Sequence, residues 1–198
     1  MNFMNLAKKL TVLRLCLVPI FMAVMLIPES LLSFRIVCAI GFVLFIAASV
    51  TDTLDGNIAR KKNMITDFGK FLDPLADKFM VIGALLVLFY RMDTLRFYLL
   101  IASTVVIFRE LAVTAARLIA STSGGLVLAA NKLGKLKTVC QIVFISAAMF
   151  ETAVWQDRVT FLLGYPLTLL FMALTVVLTV VSGVVYIRQC WPYINSQK

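Results

Sequence analysis

The chain has no histidine, so the commonest general base and metal ligand near neutral pH is missing, and acid-base or metal chemistry falls to carboxylates. Charge of either sign is scarce. Only 15% of the 198 residues are charged against 62% hydrophobic, and the mean hydropathy of +0.98 lies far above that of a soluble domain. The four cysteines, Cys16, Cys38, Cys140 and Cys190, stand singly in or beside apolar runs without a C-x-x-C spacing. That pattern indicates neither a zinc site nor a disulfide framework and leaves them as packing residues. A secretory leader would show one short apolar core followed by polar chain, whereas here apolar runs recur to the C-terminus. The first run therefore reads as a membrane helix.

What is present is a succession of runs near the roughly 20 apolar residues that a spanning helix needs. Breaks at charges and turn formers give six candidates, over residues 10–27, 32–59, 71–90, 95–120, 136–154 and 159–187. The expected fold is an all-α integral membrane protein of six transmembrane helices in a single domain over 1–198. The opening NFMNLAKKL is expected to form a short amphipathic helix on the membrane surface, with Lys8 and Lys9 at the headgroups. Arg35, Arg91, Arg96 and Arg158 fall on one side of such a bundle and every other Lys and Arg on the opposite side. The more basic side is then cytoplasmic and carries both termini. The net charge of +9, spread along one membrane face, suits membrane lipid headgroups and phosphate ligands, not nucleic acid.

The exception to this oily composition is the stretch from Ser49 to Phe79. Asp52 and Asp55 sit three apart near the end of the second span, and Asp73 and Asp77 sit four apart at the start of the third, so each pair shares a helix face. A tight turn between these spans makes them antiparallel neighbours and lets the four carboxylates converge. Uncompensated, such a cluster at a membrane boundary is unstable by several kcal/mol. Two divalent cations neutralise four carboxylates, and an oxygen-only donor set favours hard ions such as Mg²⁺, with Mn²⁺ the alternative. The competing reading is a salt-bridge lattice with Arg60, Lys61, Lys62, Lys70 and Lys78, which suits Asp67 better than the paired aspartates. Gly56 lies one turn from Asp52, and Gly69, a helix-packing position, one turn before Asp73; both allow close approach of a backbone or a ligand. Pro74 is expected to start or bend the third helix.

Asp52-x-x-Asp55-Gly56-x-x-Ala59-Arg60, then eight residues, then Gly69-x-x-x-Asp73-x-x-x-Asp77, resembles the complete signature of the CDP-alcohol phosphotransferases. The resemblance implies six transmembrane helices, a homodimer, a bacterial cytoplasmic membrane, and a cytoplasm-facing dinuclear site. It also implies that a CDP-linked lipid loses CMP as its phosphatidyl group passes to an alcohol. Asp52 and Asp73 are then the bridging ligands, Asp55 and Asp77 complete one ion each, and Asp77 is the catalytic base. Gly56, Ala59, Arg60 and Thr66 match CDP-lipid positions. NLAKKLTVLR resembles the family's N-I-P-N-x-L-T-x-x-R, keeping Asn5, Thr11 and Arg14 but carrying Ala7 and Lys8 where the pattern has Pro and Asn; Asn5 and Thr11 are thus CDP-lipid candidates and Lys8 is not.

GKFLDPLADK, FRELAVTAAR and NKLGKLKT resemble the branch that uses sn-glycerol 3-phosphate, the phosphatidylglycerophosphate synthases, with likeness to about residue 145. An acceptor with its own phosphate needs further cations, and Arg109, Arg117, Lys135 and Lys137 supply them. The substrates implied are CDP-diacylglycerol and glycerol 3-phosphate. Transfer to inositol phosphate or serine is the alternative within the family. A cation transporter is the alternative outside it, though its acids belong near the bilayer midplane, not at one end of their helices.

Overall fold

A computed structural model describes the backbone of residues 6–61, 67–124, 132–155 and 164–195, and the side chains of 16–51, 78–116, 133–155 and 164–191. These residues are all-helical: α1 (Leu6–Met25), α2 (Phe34–Lys61), α3 (Asp67–Arg91), α4 (Arg96–Gly124), α5 (Lys132–Trp155) and α6 (Pro166–Asn195), with a 3-10 turn over Asp93–Leu95 before α4. Among the described residues, four segments are long and apolar enough to span a bilayer: Phe34–Thr51, Asp93–Ala116, Leu133–Trp155 and Pro166–Trp191. Cys16–Met25 in α1 is a shorter apolar helix.

The boundaries differ from the sequence expectation in instructive ways. Residues 6–9, expected in a separate surface helix, open α1 itself. Flexible stems let Lys8 and Lys9 occupy a helix end without breaking it. α3 begins at Asp67 and continues through Pro74, so the proline is not its start. One lost backbone bond in a helix of 25 residues is offset by the apolar run that follows. α6 starts at Pro166, not near 159, because proline suits the first helical position, where its missing N–H has no partner to lose.

Each helix packs on the next in the order α1, α2, α5, α6, α4, α3 and back to α1, with a lighter contact between α3 and α5 across this ring. Among the described residues α1 lies against both α2 and α3. Glycines set the two approaches. Gly41 of α2 lies against Met25, and at Gly83 of α3 an added Cβ would stand 3.1 Å from Met22 Sδ. Phe21, Phe45, Leu85, Leu88, Leu99, Phe144 and Met149 fill the interior. Val43, Phe97, Phe108, Leu111 and Val177 are exposed instead. Apolar side chains on both faces are what helices need when a core lies on one side and lipid on the other.

Candidate active site

Alternating helix directions put the C-terminal ends of α2, α4 and α6 beside the N-terminal ends of α1, α3 and α5. This is the carboxylate end of the ring. Lys61 and Asp67 are joined by residues 62–66, so those helix ends lie within about 22 Å of each other. At about 1.5 Å of rise per residue, Asp55 and Asp73 each lie about 9 Å from their helix end, and Asp52 and Asp77 about 14–15 Å. Along its own helix each aspartate pair thus starts about 9 Å from the end that faces the connection. Their side chains lie outside the described residues, as do those of Gly56, Ala59, Arg60 and Gly69 on the same helices, Thr11 on α1 and Arg117 on α4. Asn5 and Thr66 lie outside the described residues altogether. No group of three metal-ligating side chains occurs among the described residues. The chemistry of the aspartate set, four carboxylates in a chain without histidine, fits a pair of hard divalent ions.

A cluster of charged side chains on α4 and α5 is described in atomic detail. Glu110 of α4 accepts from two cations at one oxygen: Arg109 Nη1 donates to its Oε1 at 3.0 Å and Lys137 Nζ of α5 at 2.5 Å. Arg109 Nη2 also donates to Ser182 Oγ of α6 at 3.2 Å. The three charged side chains are largely withdrawn from solvent, at 15% for Arg109, 14% for Glu110 and 4% for Lys137. Two cations against one carboxylate leave this group with a charge of +1. Lys78 of α3, the residue after Asp77, donates to Thr114 Oγ1, and that hydroxyl donates to the backbone carbonyl of Glu110 at 2.6 Å. This relay ties α3, one residue after position 77, to the α4 turn that carries Glu110.

Of the four expected acceptor-phosphate residues, the structure thus brings Arg109 and Lys137 together, leaves Lys135 exposed on α5, and does not describe the side chain of Arg117. The sequence motifs assigned no binding role to Glu110, Ser182 or Gly183. An added Cβ at Gly183 would stand 3.1 Å from Arg109 Cγ, so this glycine makes room for the arginine stem. A serine and a glycine inside a long apolar run were the available signal.

At the far end of the ring, charges meet helix termini. Glu151 of α5, 1% exposed, accepts from the backbone N–H groups of Leu167 at 2.8 Å and Thr168 at 2.9 Å, and from Thr168 Oγ1 at 2.5 Å. Arg35 Nε of α2 donates to the carbonyl of Ala153 at 3.0 Å, and its Nη2 to that of Val154 at 3.4 Å, near the C-terminus of α5. Arg91 stacks over Phe34 at 4.5 Å and stands 3.8 Å from Glu29.

Residues 4–181 match the family described as CDP-alcohol phosphatidyltransferase, beyond the point near 145 where motif likeness fades. The chain is 41% identical to the CDP-diacylglycerol–glycerol-3-phosphate 3-phosphatidyltransferase of Bacillus subtilis (strain 168), over 97% of its own length and 98% of that protein. A protein of the same name from Wigglesworthia glossinidia brevipalpis is 36% identical over 75% of this chain and 78% of its own. One from Pseudomonas fluorescens is 33% identical over 98% and 93%.

Proposed function

The chain belongs to the CDP-alcohol phosphatidyltransferase family, and from that premise we infer that it transfers the phosphatidyl group of CDP-diacylglycerol to sn-glycerol 3-phosphate, giving phosphatidylglycerophosphate and CMP. The carrying observation is identity at 41% along nearly the whole of both chains to a relative with that printed activity. The site chemistry supports it. A surplus positive charge beside Glu110, withdrawn from water, suits an acceptor that brings its own phosphate and does not suit serine.

In this reading Asp52, Asp55, Asp73 and Asp77 hold two divalent cations, Mg²⁺ or Mn²⁺. When bound, such a pair supplies Lewis-acid withdrawal of charge from the diphosphate. Asp77 accepts the proton of the acceptor's 1-hydroxyl as that oxygen attacks phosphorus in line with the departing CMP oxygen. Gly56, Ala59, Arg60, Thr66, Asn5 and Thr11 seat the CDP-lipid. Arg109, Lys137, Lys135 and Arg117 hold the acceptor phosphate. α1 and α3 complete six spans, and the chain works as a homodimer in a bacterial inner membrane with its carboxylate end and both termini in the cytoplasm.

The test is CMP release from CDP-diacylglycerol with a panel of acceptors: glycerol 3-phosphate, inositol phosphate, serine and none. Release and a phosphorylated lipid product are expected with glycerol 3-phosphate. Release with serine alone overturns the acceptor, and no release with any acceptor overturns the transferase reading.

A further inference from the structure

Glu110 sits where three helices meet. Its Oε1 takes hydrogen bonds from α4's own Arg109 and from Lys137 of α5, and Arg109 in turn reaches Ser182 of α6. Two cations brought to one point repel, and in a site withdrawn from water that repulsion is weakly screened. A carboxylate between them removes it and fixes their separation. Arg109 is held from its other side too, by Ser182 and by the space that Gly183 leaves beside its stem. These bonds do not exhaust its donors. The buried Nε of Arg109 has no hydrogen-bond partner among the described residues, a condition that costs free energy unless a further acceptor is supplied.

We propose that Glu110 is the positioning residue of the acceptor side, fixing Arg109 and Lys137 as a pair for the phosphate of glycerol 3-phosphate. This rests on the transfer reaction inferred above. Glu110 does not touch the substrate. Its carboxylate bridges two cations and fixes their separation. One turn on, Thr114 accepts from Lys78, the residue after Asp77, and donates to the Glu110 carbonyl, so α3 is tied to the helix that carries the pair.

Positioning and charge predict opposite results when Glu110 is neutralised. Glu110→Gln raises the local charge from +1 to +2, which by attraction alone lowers KM for glycerol 3-phosphate. If position governs, KM for glycerol 3-phosphate rises roughly tenfold, the loss of about one charge-assisted hydrogen bond, while KM for CDP-diacylglycerol stays within about twofold. Glu110→Asp, which keeps the charge and shortens the reach, is expected to fall between.

The experiment varies each substrate separately for the full chain in mixed micelles, with the thermal unfolding midpoint as a check on folding. An unchanged or lowered acceptor KM in Glu110→Gln overturns the proposal, and so does a parallel rise of both KM values. If that variant does not fold, Ser182→Ala decides. It leaves Glu110 in place, releases one Arg109 donor, and is expected to raise acceptor KM about threefold without moving that of CDP-diacylglycerol; no change overturns the proposal. Wild-type protein that releases no CMP with glycerol 3-phosphate overturns the transfer reaction itself. Normal wild-type turnover with acceptor-indifferent variants overturns only the role of Glu110.

Discussion

At the far end of the ring, Glu151 is almost wholly buried yet accepts three hydrogen bonds at the start of α6, and Arg35 donates to carbonyls at the end of α5. At the carboxylate end, Arg109 and Lys137 share one oxygen of Glu110, and a buried Arg109 donor is left over. Both ends withdraw charge from water, which is costly in either place. At the far end Glu151 and Arg35 offset that cost within the protein, where they complete helix termini that otherwise have orphan N–H and C=O groups. The carboxylate end does not balance among its described groups, and an imbalance retained in a folded protein is where a charged ligand belongs. Substitutions at the two ends should therefore fail differently, in activity at one and in stability at the other.

The largest effect is expected at the carboxylate end. Asp77→Asn removes the proton acceptor but keeps the side chain's size, and transfer should fall by about 10²–10⁴-fold, the range for a lost general base, with CDP-lipid binding and the unfolding midpoint largely kept. Measured turnover within about twofold of wild type would remove Asp77 as base. A large drop in midpoint would instead place position 77 among the stabilising charges and blur the contrast between the ends.

How much of this contrast the sequence displayed depends on the kind of signal. The aspartate pattern stands out because carboxylates at i,i+3 and i,i+4 interrupt an apolar chain, and all four positions lie on helices, two on α2 and two on α3. The spans were legible from length and hydropathy, although α1 and α3 begin about four residues before the expected starts. The ring order was not legible: α1 packs against both α2 and α3 with Gly41 and Gly83 at those approaches, and no local pattern encodes it. Glu151 and Arg35 went unread because their partners are backbone groups of distant helices, and Ser182 and Gly183 because they interrupt an apolar run without changing its hydropathy.

The next effect belongs to the far end. Glu151→Ala leaves two backbone N–H groups and the Thr168 hydroxyl without their acceptor in a buried setting, and should destabilise the fold by about 2–4 kcal/mol. Glu151→Gln, which keeps one oxygen acceptor, should lose about half as much. Both should retain wild-type KM values per folded molecule, read from activity normalised to the folded fraction. A changed KM for glycerol 3-phosphate with an unchanged midpoint would mean that the far end also serves the reaction.

Arg35 is less buried and its acceptors are carbonyls near a helix end, so Arg35→Met should cost only about 1 kcal/mol, seen as a small fall in unfolding midpoint with normal turnover. A loss as large as that of Glu151→Ala would show that the α2–α5 contact, not the α6 cap, holds this end together.

The smallest effect separates burial from pairing as the reason these charges matter. Asp93 and Arg96 form an i,i+3 ion pair at the start of α4, but their side chains are 80% and 53% exposed. Water already solvates both groups, and the pair must hold two mobile side chains in one geometry, so Asp93→Ala should change stability by no more than about 0.5 kcal/mol. Its sensitivity to salt should be correspondingly slight. If removing Asp93 instead lowered the midpoint as far as removing Glu151, pairing alone would account for the far end. The small effect expected for Asp93 makes burial the deciding term, and by that measure the buried group of Arg109, Glu110 and Lys137 belongs with Glu151 and not with the exposed pair at the start of α4.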